Sequence, residues 1–150
     1  GNNSGLTQNK YGFRSCMSTG MDVDLYLNSW DGAGGLDKSA KFIKDMIAEY
    51  RIIEDCFYGD YYPLIFSCID HTGWNVYQMN KDDKGFVMAF RGEESPYNNV
   101  SLKLKGLDEN KTYEFTDMDT GKVWIQKGSE SLEIKTENMN ESRLIRYALK

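Results

Sequence analysis

Between Asp37 and Glu54 the apolar residues recur every three to four positions. Ala40, Ile43, Ile47 and Tyr50 form one stripe, and Met46 and Ile53 widen it. This period predicts a helix over about 38–54, capped by Asp37, with Lys41, Lys44, Asp45, Glu49 and Arg51 toward water. Beyond Pro63 the period drops to two. Leu64–Ile69, Trp74–Met79, Phe86–Arg91, Val100–Lys105, Lys111–Thr116, Lys122–Gln126, Ser131–Lys135 and Ser142–Leu149 all read as strands. Turn-forming runs separate them: His71-Thr72-Gly73, Lys81 to Gly85, Gly106 to Asn110, and Asp117 to Gly121. Short strands at spacings of roughly ten residues point to an antiparallel sandwich or barrel. Upstream of the helix, Tyr11–Met17 and Val23–Asn28 also alternate and read as strands, followed by the glycine-rich loop from Ser29 to Gly35.

The pattern divides the chain into a polar, disordered lead-in (1–10), a strand–strand–helix piece (11–62) and an antiparallel β-sandwich (63–150), an α+β class. The helical piece has an apolar face with nothing of its own to cover it. Parallel sheets bury both faces, so a lone βα fragment implies a larger α/β body. The change of period falls in Phe57-Tyr58-Gly59-Asp60-Tyr61-Tyr62-Pro63-Leu64, which holds three tyrosines and one of only two prolines. That run reads as a hinge between two regimes.

With 150 residues, 40% apolar and 27% charged, the chain can bury a core. Its formal net charge of −5 and scattered carboxylates argue against nucleic acid, which needs clustered Lys and Arg. Lys103 and Lys105 read as solvated edge charges. No apolar run is long enough to span a membrane. The chain begins at Gly1 and not at Met, so its compartment stays open: cytoplasmic, or exported with a leader removed. Asn2, Asn99, Asn110 and Asn140 each open an N-x-S/T triplet, which matters only in a glycosylating host. Cys16, Cys56 and Cys68 lack paired metal-ligand spacing and read as small buried thiols. His71 reads as a surface-loop residue, and no metal or cofactor is expected.

Few residues offer chemistry. Asp117-Met118-Asp119-Thr120-Gly121 opens like a calcium loop but has Gly128 where the closing glutamate belongs, so it reads as a strand-connecting turn. Asp22, Asp24, Asp31 and Asp60 form no recognisable carboxylate pair. Aromatic faces suit the apolar side of a sugar ring, which directs attention to Trp30, Trp74 and Trp124. Trp74 is in phase with Val76 and reads as core. Trp124 lies on the opposite face from Val123 and Ile125 and reads as exposed or packed at an interface. Trp30, with neighbouring Asp31, sits in a mobile loop of the kind that carries function, and is the candidate substrate-binding site.

The run Phe57 to Leu64 resembles the end of the catalytic barrel in melibiase-type α-galactosidases of glycoside hydrolase family 36. Phe13-Arg14-Ser15-Cys16-Met17-Ser18 resembles a late barrel strand of that family, and Ala48-Glu49-Tyr50-Arg51 its last helix. Trp74 to Met79, Gly85 to Arg91, Leu104 to Asp108, Tyr113 to Asp117, Asp119 to Lys122 and Ser142 to Tyr147 resemble successive parts of its C-terminal β domain. The resemblance spans about residues 11–149. It implies a fold made of the end of a (β/α)₈ barrel, two strands and a helix, followed by an antiparallel β-sandwich. The family is one of retaining glycoside hydrolases whose catalytic aspartates lie on middle barrel strands, one in a Lys-x-Asp context; no candidate barrel strand here carries either motif, and the triplet Lys81-Asp82-Asp83 falls in a turn-forming run.

The resemblance therefore implies a non-catalytic C-terminal region whose β domain packs on the catalytic barrel of a parent enzyme, and no catalytic residue is carried over. The alternative is a stand-alone carbohydrate-binding or protein-interaction module. The expected partners are the parent barrel, a second copy of the chain through its uncovered barrel end, and carbohydrate.

Overall fold

The computed structural model describes residues 10–17, 35–66 and 72–150. They divide into two compact units, Gly1–Ile52 and Ile53–Lys150.

The first unit contains, among its described residues, two helices and no strand. α1 spans Lys10–Met17, where the alternating apolar pattern predicts a strand resembling one of the barrel's. Eight residues with a glycine among them are marginal as an isolated helix, and tertiary contacts decide the outcome. α2 spans Gly35–Ile53, so Asp37 lies inside the helix and not at its cap. Phe13 of α1 meets Phe42 of α2 edge-to-face, with ring centroids 6.3 Å apart. Beside them Arg14, wholly buried, donates from Nε and Nη2 to the two carboxylate oxygens of Glu49 at 3.1 and 2.7 Å. Glu49 is thus buried and not solvent-facing as its place on the helix suggests. The expected stripe is also shifted: Met46 is buried, Ile43, Ile47 and Tyr50 are half-buried, and Ala40 is exposed.

The second unit opens with a 3₁₀ turn, Glu54–Tyr58, and eight strands follow: β1 Asp60–Ile65, β2 Trp74–Lys81, β3 Lys84–Arg91, β4 Asn99–Leu102, β5 Thr112–Asp117, β6 Val123–Lys127, β7 Leu132–Lys135 and β8 Ser142–Leu149. All pairings are antiparallel. Six strands form one sheet in the order β1-β2-β3-β8-β5-β6, and β4 pairs with β7 in a second sheet. The run read as a hinge supplies the last turn of the 3₁₀ segment and the edge strand β1. Pro63 sits on that edge, where its missing N–H costs no ladder bond and blunts further pairing.

The core lies between the two sheets. Trp74, Val76, Val87, Ala89, Tyr113, Phe115, Ile145 and Tyr147 of the large sheet meet Leu102, Leu104, Leu132 and Ile134. Tyr77, Met79, Phe86 and Met88, on the other face of β2 and β3, are also buried. Phe57 of the 3₁₀ turn rests on Phe86 there, with centroids 5.1 Å apart. Burial on both faces suits β3, whose Phe86-Val87-Met88-Ala89-Phe90 is continuously apolar.

Gln78 and Asn80 of β2 and Arg91 of β3 are buried polar residues in phase with this core. Gln78 has no exposed surface. Its amide nitrogen donates to the Lys105 carbonyl at 2.8 Å and to the Tyr147 hydroxyl at 2.7 Å, and its amide oxygen accepts the Lys105 N–H at 2.9 Å. Tyr147 donates in turn to Asn80 Oδ1 at 2.7 Å. The network ties β2, β8 and the segment after β4 together. Gly85 makes room for it, since a Cβ there would overlap the Tyr147 hydroxyl. Burial pushes the Tyr147 hydroxyl well above the usual phenol range.

At the β2–β3 hairpin, Asp82 takes a φ of 54°, which Asp tolerates in a tight turn. Lys81 and Lys84 flank the turn and clamp Asp55 at 2.7 and 2.8 Å. Their ammonium hydrogen bonds, Lys81's first, hold the Asp55 carboxyl down at about 2.

Three outcomes follow from these contacts. Gln78→Leu keeps the volume but takes away the partner of both the Lys105 N–H and the Lys105 carbonyl, while Tyr147 keeps its bond to Asn80; urea denaturation should show a loss of about 1–3 kcal/mol for each buried group left unpaired. Glu49→Ala breaks the two-bonded pair with buried Arg14, a loss of up to about 3–5 kcal/mol, and amide exchange over 10–17 should speed up. Because the folded pKa of Asp55 is lowered, its stabilising effect is present above the unfolded carboxylate value of about 3.9 and fades as pH falls toward about 2. The wild-type chain should lose stability across that window, and Asp55→Asn should lose less.

Candidate functional site

β6 carries apolar residues on both faces. Val123 and Ile125 are 54% and 50% exposed. Trp124 points the other way and is half-buried, lying on its cross-strand partner Phe115. The two rings are stacked, with an interplanar angle of 16° and centroids 5.6 Å apart. Its phase is as the alternation indicates, but its face is that of the core. The indole N–H donates to Gln126 Oε1 at 2.9 Å, which fixes the tilt of the ring. Lys122, two residues back on the same side, holds its ammonium 5.4 Å from the indole centroid. Phe115 covers one face of the indole, which leaves the opposite face to Lys122.

The turn before β6 is built by Asp117. Its Oδ1 accepts the N–H groups of Asp119 and Thr120 at 2.8 and 3.1 Å, and Gly121 takes a φ of 76°. These are the features of a strand-connecting turn, as the failed calcium-loop spacing indicates. Asp119 reaches on to β8, accepting the Leu144 N–H at 3.0 Å. On the far side, Gln126 donates to the carbonyls of Glu130 and Ser131, both at 3.3 Å, which holds the chain as it turns into β7.

Between β6 and β7 these elements enclose a groove of about 280 Å³. Trp124, Ile134 and Ile145 line it together with Asp117, Lys122, Glu133 and Lys135; on β7 the exposed Glu133 and Lys135 alternate with buried Leu132 and Ile134. Glu133 accepts the Ser101 hydroxyl at 2.6 Å. No salt bridge joins any of the four charged residues to a described residue. The groove can thus offer the Trp124 indole and the Lys122 ammonium to a small ligand. Spacing hinted at this only through Lys122, Trp124 and Gln126 sharing a strand face. The contribution of β7 comes from sheet packing.

The expected substrate-binding residues Trp30 and Asp31 lie outside the described residues, as do Asp22, Asp24, Cys68, His71 and the predicted strand Val23–Asn28. Asp60 is exposed at the start of β1. Trp74 is buried as expected, and its indole N–H donates to the Tyr97 carbonyl at 2.9 Å. Cys56 is buried, and desolvation pushes its thiol up; Cys16 is exposed, contrary to its reading as a buried thiol. Of the tyrosines at the 3₁₀–β1 junction, Tyr58 is 84% exposed, and Tyr61 leans on Tyr77 with centroids 5.7 Å apart. Among the described residues no three His, Cys, Asp or Glu side chains group as metal ligands, and no helix is long and apolar enough to cross a membrane.

No protein-family model matches the sequence. No curated protein matches it either. Among solved structures, the chain is similar to the galactosidase domain of an alpha-galactosidase–sucrose kinase, AgaSK. The TM-score is 0.55 at 18% identity, over 76% of this chain and 16% of that one. At that identity the likeness is one of fold: this chain is a mostly antiparallel α+β structure resembling part of a galactosidase domain.

Proposed function

We propose that the chain is the non-catalytic C-terminal region of an α-galactosidase-like glycoside hydrolase of the melibiase type, its β-sandwich packing on the parent's catalytic barrel. The observation that carries this reading is the fold likeness to a galactosidase domain, in which the matched part makes up 16% of the neighbour's chain. A segment that small leaves most of such a domain to be supplied by other sequence. The family resemblance of residues 57–64 and of the strands that follow agrees with it. The one Lys-x-Asp triplet in the sequence, Lys81-Asp82-Asp83, forms the hairpin turn between β2 and β3 and does not lie on a barrel strand of the kind that carries the family's nucleophile.

The role left for this chain is structural. Its own core, between the six-stranded and two-stranded sheets, holds the sandwich together. A domain with such a core can brace a barrel without contributing to its chemistry.

The test is hydrolysis of an aryl α-galactoside by the purified chain. The expected result is release of the aryl group no faster than in buffer. Turnover above that background, lost when an aspartate of this chain is replaced by asparagine, would overturn the reading.

A further inference from the structure

The two edges of the large sheet are guarded unequally. β1 carries Pro63 and a register shift between Pro63 and Ile65, and both spoil an edge for further pairing. β6, at the other edge, has no proline and pairs with β5 in unbroken register. Its lysines stand only at the ends, Lys122 just before the strand and Lys127 at its close. Between them Val123 and Ile125 are half exposed on the outer face of the sheet.

The parity of the ladder fixes which backbone groups of β6 face outward. The Asp117 N–H donates to the Lys122 carbonyl at 2.9 Å, and the Gly128 N–H to the Lys111 carbonyl at 3.0 Å. Bonded pairs alternate along an antiparallel ladder. Trp124 and Gln126 therefore turn their N–H and C=O groups toward β5, and Val123, Ile125 and Lys127 turn theirs away. Those of Lys127 are taken within the chain: its N–H donates to Glu130 Oε2, and its carbonyl accepts the Glu130 N–H at 3.1 Å. Those of Val123 and Ile125 have no backbone partner among the described residues beyond the ladder.

We infer that this open edge pairs with the same edge of a second copy of the chain, antiparallel about a two-fold axis at Trp124. In that register Val123 faces the second copy's Ile125, and Ile125 faces its Val123. Both are hydrogen-bonding pairs, so every outward N–H and C=O of the two residues finds a partner, and their apolar side chains meet on one face. Lys122 falls opposite Gln126, so no like charges oppose each other. A slip of one residue sets outward groups against groups already committed to β5. A slip of two brings in Lys127 or Gly121, whose N–H groups are taken by Glu130 and Asp117. The edge is thus self-complementary in one register. Pro63 opposes the alternative of β6 on the β1 edge, so the assembly closes as a dimer and does not run on as a filament. A five-residue strand from each copy covers less than the roughly 1,000 Å² of a lasting interface. The dimer is therefore weak, with a dissociation constant on the order of 100 μM. It uses the second unit alone and stands whether or not the chain belongs to a hydrolase.

Sedimentation equilibrium of the full chain from micromolar to millimolar concentration is the test, and it should show monomer and dimer only. Amide exchange at the two ends of that range should slow at Val123 and Ile125 on concentrating, and stay unchanged at Lys127. Val123→Glu and Ile125→Lys alter exposed side chains, and thermal melting checks that each variant keeps its fold. Either one alone removes two apolar cross-strand pairs from its own dimer and should weaken association roughly tenfold. An equal mixture of the two variants sets the new carboxylate opposite the new ammonium and leaves Ile125 opposite Val123 in the other pair, so association should return. No dimer at millimolar concentration, a dimer indifferent to the single substitutions, exchange unchanged at Val123 and Ile125, or a mixture that associates no better than its components would overturn the inference.

Discussion

The sandwich depends on the buried amide of Gln78. Gln78 stands in a strand that is apolar on both faces, and it is wholly enclosed. An amide in such a place is costly unless all its valences are met. Here they are met from two directions, by the backbone of Lys105 and by the hydroxyl of Tyr147. Lys105 follows the strand of the small sheet, and Tyr147 lies in the last strand of the large one. Aliphatic packing would hold these layers together without fixing how they sit. The two-way clasp on Lys105 sets one register, because a slip by one residue would exchange the donor and acceptor it needs.

Topology explains why the clasp matters. β8, the last strand, lies between β3 and β5 in the middle of the large sheet. The sheet therefore closes only when the end of this chain returns to join two hairpins that can form locally. Tyr147, on that strand, brings to the same point its ring contacts with Tyr113 and Phe115 and its hydroxyl bonds to Gln78 and Asn80. One side chain thus couples the latest pairing to the earliest hairpin.

The groove is a consequence of the unequal layers. A two-stranded sheet cannot cover six strands, and β4–β7 lies over the core cluster while β6 remains at the rim of the large sheet. Where cover runs out, Trp124 is half-buried and residues of β6 and β7 line a groove. The same incompleteness leaves Val123 and Ile125 on the outer face of the edge strand.

The sequence by itself determined which segments are strands and which face of most of them is apolar. β2 to β8 lie where period-two alternation places them, with ends shifted by a few residues, because alternation follows from the covalent geometry of an extended chain. β1 overlaps its predicted stretch only at Leu64 and Ile65 and starts inside the run read as a hinge, where pairing with β2 rather than local pattern sets its ends. The sequence also determined that Trp74 is core and that Asp117–Gly121 is a turn. Tyr11–Met17 shows where local pattern fails: over so short a run a few apolar residues fit either period, and contacts with Phe42 and Glu49 selected the helix. Glu49 and Gln78 carry no mark of burial in their spacing, since each is buried through a partner distant in sequence, Arg14 and Tyr147. Strand order, the stacking of Trp124 on Phe115 and the meeting of β6 with β7 were likewise decided only by tertiary structure. These are choices among non-local pairings, and the free energy that ranks them resides in packing and buried hydrogen bonds rather than in any local stretch of chain.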